Sequence, residues 1–126
     1  MKTRITELLG IKYPILLGGL QGLGLADLAA AVSEAGGLGL VTAGCFETGE
    51  SFKDELLRAR SLTSQKIAAN VAIGSRKSMD DFVDVCCELS VPIVVTSGNN
   101  PEKYVSQLKA ARCIWVHVAP AVRYAV

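Results

Sequence analysis

The chain has 126 residues, of which 50% are hydrophobic and 20% are charged, with a formal net charge of +1. This composition supports one domain with a substantial core and excludes the disordered class. The small, mixed charge excludes nucleic acid and membrane surfaces as expected partners, leaving a small molecule or another protein. No apolar run reaches the roughly 18 residues of a membrane span. Because Glu7 also interrupts the N-terminal stretch where a signal peptide would be apolar, we expect a cytoplasmic protein.

Five short apolar runs alternate with segments of helical spacing. The runs are continuous, as in strands buried on both faces of a parallel sheet, and they occupy residues 15–17, 38–41, 66–73, 92–96 and 114–118. This order predicts a parallel α/β fold, with residues 1–126 in a single domain. Two arrangements fit the order, a doubly wound sheet and part of a (β/α)8 barrel, and they differ in the order of their strands.

The segments between the runs carry apolar stripes that predict the buried helix faces. The stripes are Leu25, Leu28, Ala29 and Val32 in the first helix, Phe52, Leu56 and Leu57 in the second, and Tyr104, Val105 and Leu108 in the fourth. Ser78 is the expected N-cap of the third helix, with Asp81 three residues later, and Pro101 is expected near the first turn of the fourth. A fifth helix is expected to begin near Ala121.

A glycine cluster follows the first run, in the context of a dinucleotide-binding turn. Gly19, Gly22 and Gly24 have the order G-x-x-G-x-G instead of G-x-G-x-x-G, and the second run ends without the acidic residue that would bind a ribose hydroxyl. Small or amide-bearing residues instead recur where the runs end, as in Gly18-Gly19 and at Asn70. Because a barrel builds its ligand site from the carboxyl ends of its strands, this pattern favours a flat ligand lying against backbone.

Candidate metal ligands and acid–base groups are few. The cysteines are Cys45, Cys86, Cys87 and Cys113, and they lack the C-x-x-C spacing of zinc and redox sites, so we expect reduced thiols and no metal. Cys45, in a loop after a strand, is the best candidate for a reactive thiol. His117, the only histidine, lies in the last run and is expected to be a hydrogen-bonded structural residue.

The stretch ITELLGIKYPILLGGLQGLGLADLAAAVSEAGGLGLVTAG, residues 5–44, resembles the start of the nitronate monooxygenase family, which includes flavin-dependent enoyl-acyl-carrier-protein reductases. The later segments IAANVAI, VVTSGNNPEKYVSQLKAA and VHVAPAVRYA resemble the family's third, fourth and fifth strand regions in the same order. The resemblance covers essentially the whole chain. It implies an FMN-dependent TIM barrel, of which this chain carries the parallel (β/α) units of the first five strands.

The resemblance also implies the site residues. Gly18, Gly19 and Leu20 correspond to the segment whose backbone lies against the isoalloxazine ring, and Asn70 corresponds to the amide that hydrogen-bonds FMN. The family's catalytic histidine and its phosphate-binding loops correspond to positions beyond Val126. No catalytic residue is therefore assigned, and the chain alone is expected to have negligible turnover.

Three functions remain open at this stage. The family resemblance implies oxidation of alkyl nitronates with O2, or reduction of an enoyl substrate by NAD(P)H. In either case the partner is a small-molecule substrate. The third alternative is a non-catalytic half-barrel, whose unpaired strand edges predict self-association into a homo-oligomer.

Overall fold

The computed structural model describes residues 2–74 and 79–122. The helices are α1 (Arg4–Leu9), α2 (Ala26–Glu34), α3 (Gly49–Leu62), α4 (Asp80–Glu88) and α5 (Glu102–Ala110). The strands are β1 (Gly39–Thr42), β2 (Ile67–Ile73), β3 (Ile93–Gly98) and β4 (Ile114–Val118). Within the described ranges, no helix is both long and apolar enough to cross a membrane.

The four strands form one parallel sheet in the order β1-β2-β3-β4. Strands that follow one another in chain order are typical of a barrel wall, whereas a doubly wound sheet reverses its strand order at a switch point. The predicted barrel arrangement is therefore confirmed, and the doubly wound alternative is excluded.

The predicted first strand, residues 15–17, is reduced to a single parallel bridge between Leu16 and Leu38. The Leu17 amide donates to the Leu38 carbonyl at 2.9 Å, and the Leu38 amide donates to the Ile15 carbonyl at 2.9 Å. Pro14, which lacks an N–H, precedes this segment, and Gly18 and Gly19 follow it. The predicted strand is therefore present only as this bridge, whose partner Leu38 immediately precedes β1.

Helix α1 was not predicted from the sequence. The Thr3 side chain accepts from the Thr6 amide at 3.2 Å, and Thr6 Oγ1 accepts from the Thr3 amide at 2.8 Å, so the two residues form a capping box. Gly10, at φ +68°, ends the helix. Leu9 then packs on the inner face of the sheet with Leu38, Leu40 and other residues of that face.

Both faces of the sheet are buried through most of β1, β2 and β3, as the continuous apolar runs predicted, whereas the residues of β4 are only partly buried or exposed. The outer face packs against the helices through a cluster that contains Phe52, Phe82 and Leu108. The inner face packs in a second cluster that contains Leu9 and Ile93. Helix α1 therefore covers part of the surface that would line the interior of a barrel.

Two helix faces differ from the predicted stripes. Helix α2 buries the small residues Ala26, Ala29, Ala30 and Ser33, whereas Leu28 is 37% exposed. The backbone of Ala29 in α2 lies so close to Gly39 in β1 that a residue larger than glycine would not fit at position 39. In α3, Ala59 is buried with Phe52 and Leu56, and Leu57 is 45% exposed. The predictions for Leu28 and Leu57 were therefore wrong. In α2, the close approach to the sheet leaves room only for small side chains. In α3, the buried face includes Ala59 instead of Leu57.

The helix starts also differ in detail. Helix α4 begins at Asp80 with Met79 at the N-cap and without a side-chain cap, while the predicted cap Ser78 lies outside the described residues. Pro101 is the N-cap of α5 and so lies next to its first turn, as expected. The helix expected near Ala121 extends beyond the described residues, which end at Val122.

All four cysteines are free thiols. Burial raises the pKa of the Cys86 thiol in α4, and it also raises the pKa values of Cys87 and Cys113. These three thiols are therefore neutral at physiological pH and weak nucleophiles, as expected of structural cysteines.

Candidate functional site

A buried amide lies on the inner face of the sheet, in the middle of β2 and level with the end of β1. Asn70 of β2 is 3% exposed and pairs in register with Thr42 of β1 and Val95 of β3. Asn70 Nδ2 donates to the Val95 carbonyl at 3.1 Å, which fixes the plane of the carboxamide. Parallel barrels bind ligands at the carboxyl ends of their strands, and Asn70 lies beside the carboxyl end of β1, so it is placed close to where a ligand would bind.

The segment Gly18-Gly19-Leu20 lies against this amide. A Cβ atom on Gly19 would overlap Asn70 Oδ1, whereas a Cβ on Gly18 would have no other atom within 4 Å. Gly18, Gly19 and Leu20 are all exposed. The segment therefore contacts Asn70 on one side and leaves open backbone on the other. The structure brings the predicted site residues together, and their role in binding a cofactor stays a prediction.

The turn that follows this segment is tied to the end of β1. The Leu20 amide donates to Thr42 Oγ1 at 3.2 Å, and the Thr42 amide donates to the Gly24 carbonyl at 2.8 Å. Two residues further along, the Gly22 amide lies 3.1 Å from Cys45 Sγ. Sequence reasoning did not assign Thr42, although its position at a strand end was the available signal.

The glycine cluster does not form a dinucleotide site. The N-terminus of α2, where a pyrophosphate would bind, already donates from the Ala26 amide to Glu55 Oε1 at 2.8 Å. Asp27 adds a second carboxylate in the first turn, paired with Arg58 at 2.6 Å. Glu55 therefore already occupies a backbone donor that a phosphate would need, and this geometry disfavours the dinucleotide alternative.

His117 lies on the opposite face of the sheet from Asn70. Its Nδ1 is 2.9 Å from Thr96 Oγ1, which also accepts from Trp115 Nε1 at 2.8 Å, and the Trp115 and His117 rings stack at 6.2 Å. Trp115 packs on the helix-side cluster. The expected hydrogen-bonded structural role of His117 agrees with this geometry, and the only histidine of the chain is directed away from the candidate site.

No group of three or more His, Cys, Asp or Glu residues in the described part of the chain is arranged to hold a metal ion. Near the carboxyl end of β1, the inner face of the sheet presents open glycine backbone, the Asn70 amide and the Thr42 hydroxyl. Parallel strands that follow one another in chain order define the class as part of a (β/α) barrel.

Comparison with known proteins identifies the family within this class. The sequence matches the family described as nitronate monooxygenase over residues 2–124, and the chain belongs to this family. It is 42% identical over 77 residues to a probable nitronate monooxygenase of Staphylococcus aureus strain JH9, a match that covers 61% of this chain. Membership supports a flavin-dependent oxidoreductase as the class of enzyme.

Solved structures agree with the barrel. FabK from Thermotoga maritima superimposes with a TM-score of 0.93 and 37% identity over 99% of this chain. The nitroalkane oxidase from Streptomyces ansochromogenes superimposes with a TM-score of 0.81 over 98% of the chain, and at 22% identity this likeness shows the fold alone.

The chain is much shorter than these proteins. The match spans 21% of the length of the Staphylococcus aureus relative, 40% of FabK and 44% of the nitroalkane oxidase. The activity of a complete enzyme is therefore a proposal for this chain.

Proposed function

We propose that the carboxyl-end site binds the isoalloxazine ring of FMN, and that the complete protein oxidises alkyl nitronates with O2. Gly18, Gly19 and Leu20 would lie against the ring, and Asn70 would hydrogen-bond its edge. The observation that carries the proposal is the open backbone at Gly18, directly beside a segment that contacts a buried amide.

The residues present fit a flavin. A planar ring can approach Gly18 because no side chain stands in its way. An amide is both donor and acceptor, and Asn70 keeps its orientation through the bond to the Val95 carbonyl, so it is preorganised for a ring edge that presents both kinds of group. A bound flavin would supply the electron-transfer chemistry, while these residues would orient it.

Proton transfer requires an acid–base group, and among the described residues the histidine does not lie at the site. His117 faces the helices and binds Thr96. Since an acid–base group must lie within hydrogen-bonding reach of the reacting atom, we expect the 126-residue chain to bind flavin with negligible turnover. Nitronate-dependent oxygen uptake by the purified, flavin-loaded chain would contradict this expectation.

Enoyl reduction with NAD(P)H is the second candidate. It is supported by the similarity to FabK, which extends over nearly the whole chain. The two candidates share the flavin site described above and differ in the substrate. Oxygen uptake with an alkyl nitronate and NAD(P)H oxidation with an enoyl thioester, assayed on the complete protein, distinguish them.

Self-association also stays a proposal. Residues 15–17, which form the bridge to Leu38, lie at the edge of the sheet and are apolar: Ile15 is 61% exposed and Leu16 is 37% exposed. Leu28 is also exposed, on α2. Exposed apolar side chains at a strand edge favour pairing between chains. Light scattering on the purified chain tests this, and a monomer would contradict it.

The flavin proposal is tested by titrating the purified chain with FMN and with riboflavin, followed by flavin fluorescence. We expect saturable binding with similar dissociation constants for both ligands, because the proposed contacts reach the ring and not the phosphate. Absence of saturable binding would overturn the proposed function. Binding of FMN roughly tenfold tighter than riboflavin, about 1.4 kcal/mol, would show that this chain also holds the phosphate.

A further inference from the structure

We propose that Thr42 is a positioning residue for the flavin site, acting through its hydroxyl on the backbone of Leu20. The proposal rests on the proposed function, since it concerns the segment that would lie against the ring. Thr42 is 4% exposed at the end of β1, so it acts on this segment rather than on a ligand directly.

Thr42 binds the first βα turn at both of its ends. Its hydroxyl accepts from the Leu20 amide at 3.2 Å, and its own amide donates to the Gly24 carbonyl at 2.8 Å. The turn closes on itself, because the Gly24 amide donates to the Leu20 carbonyl at 2.7 Å. Thr42 therefore fixes the point where the chain leaves Gly19 and the point where it enters α2.

The local sequence is adapted to this contact. A Cβ on Gly24 would overlap Thr42 Oγ1, so a glycine at this position lets the hydroxyl approach the turn. Gly22, at φ +78°, adopts a left-handed conformation that lets the chain reverse between the two contacts. The spacing of these glycines is thus accounted for by the Thr42 contact, without a phosphate.

The same residue links the turn to Asn70. Thr42 and Asn70 are partners in the register of β1 and β2, and Gly19 lies against Asn70 Oδ1. The distance between the open backbone at Gly18 and the Asn70 amide is therefore set by the contacts of Thr42, Leu20 and Gly19. Loss of the hydroxyl would leave the Leu20 amide without this acceptor and would free the segment from its position above Asn70.

The test compares Thr42→Val, which keeps the side-chain volume but removes the hydroxyl, with Thr42→Ser, which keeps the hydroxyl. We expect FMN to bind roughly tenfold more weakly to Thr42→Val, equivalent to about 1.4 kcal/mol, and Thr42→Ser to retain most of the affinity. Thr96→Val is the matched control, because Thr96 is a buried threonine whose hydroxyl binds Trp115 and His117 on the outer face. This control is expected to bind FMN like the parent chain.

Hydrogen exchange of the Leu20 amide provides a readout that does not depend on flavin. We expect faster exchange in Thr42→Val than in the parent chain and in Thr42→Ser. Unchanged exchange in Thr42→Val, or FMN binding by Thr42→Val equal to that of the parent, would overturn the positioning role. If the parent chain does not bind FMN but Leu20 exchange responds to the valine, the proposed function fails and the structural part of the inference stands.

Discussion

Replacing Gly19 by alanine is expected to weaken both flavin binding and the fold. The new methyl group would overlap Asn70 Oδ1, so the buried amide would have to rotate and lose its bond to the Val95 carbonyl. Leaving a buried polar group without its partner costs about 1–3 kcal/mol. We expect a decrease of this size in the free energy of unfolding, measured in urea, and at least a roughly tenfold rise in the FMN dissociation constant.

Gly18→Ala is the matched control for this experiment. A methyl group on Gly18 points into open space, so we expect an unchanged free energy of unfolding. If the ring lies against Gly18, the same methyl group should still weaken FMN binding. The two neighbouring variants therefore separate damage to Asn70 from obstruction of the ring. FMN binding by Gly18→Ala equal to that of the parent would contradict the placement of the ring.

Phe52→Ala is expected to have the largest effect on stability. The Phe52 ring is completely buried between α3 and the sheet, with ring centroids at 5.8 Å from Phe46 and 5.6 Å from Phe82. Removing a buried aromatic ring costs about 3–5 kcal/mol, because transfer free energy is lost and a cavity is left. Domains are stable by about 5–15 kcal/mol, so this variant would lose a large share of its stability in urea unfolding.

Leu57→Ala tests the same helix at an exposed position. Leu57 belongs to the stripe predicted from the sequence but is 45% exposed on α3. We expect its replacement to change the free energy of unfolding by less than about 1 kcal/mol. A loss as large as that of Phe52→Ala would mean that Leu57 packs in the core, as the sequence predicted, and is not exposed as observed.

The sheet was predictable because its signal is strong and local. In a chain where strand and helix patterns alternate, continuous apolar runs such as residues 66–73 and 114–118 have few interpretations other than buried strands. Helix faces were harder to predict. Which residues a helix buries depends on how closely the helix approaches the sheet as well as on the hydrophobicity of its side chains. Helix α2 approaches Gly39 so closely that alanines are buried while Leu28 faces outward.

Helix α1 was missed although its signals were present. Thr3 and Thr6 form a capping box without the usual Glu or Gln, and Gly10 ends the helix after only 6 residues. A helix this short has a weak apolar periodicity, and its stability comes from Leu9 packing on the sheet. Such a contact between distant parts of the chain cannot be inferred from local sequence.

The site residues were predictable only in part. Gly18, Gly19, Leu20 and Asn70 were assigned through the family resemblance, and the structure brings them together. The contact between Thr42 and Leu20 depends on the register of β1 and on the path of a five-residue turn. No sequence motif specifies the register or the path of the turn. The hydrogen bond from the Leu20 amide to Thr42 could therefore be identified only from the structure.

The most direct test of the account is an FMN titration of the chain carrying Asn70→Ala. Gln107→Ala is the control, since Gln107 is an amide residue on α5 whose Nε2 donates to Asp84 on the helix surface. We expect saturable FMN binding by the parent chain and by Gln107→Ala, and binding at least roughly tenfold weaker by Asn70→Ala while the variant remains folded. Equal affinity of all three proteins would contradict a flavin site at Asn70.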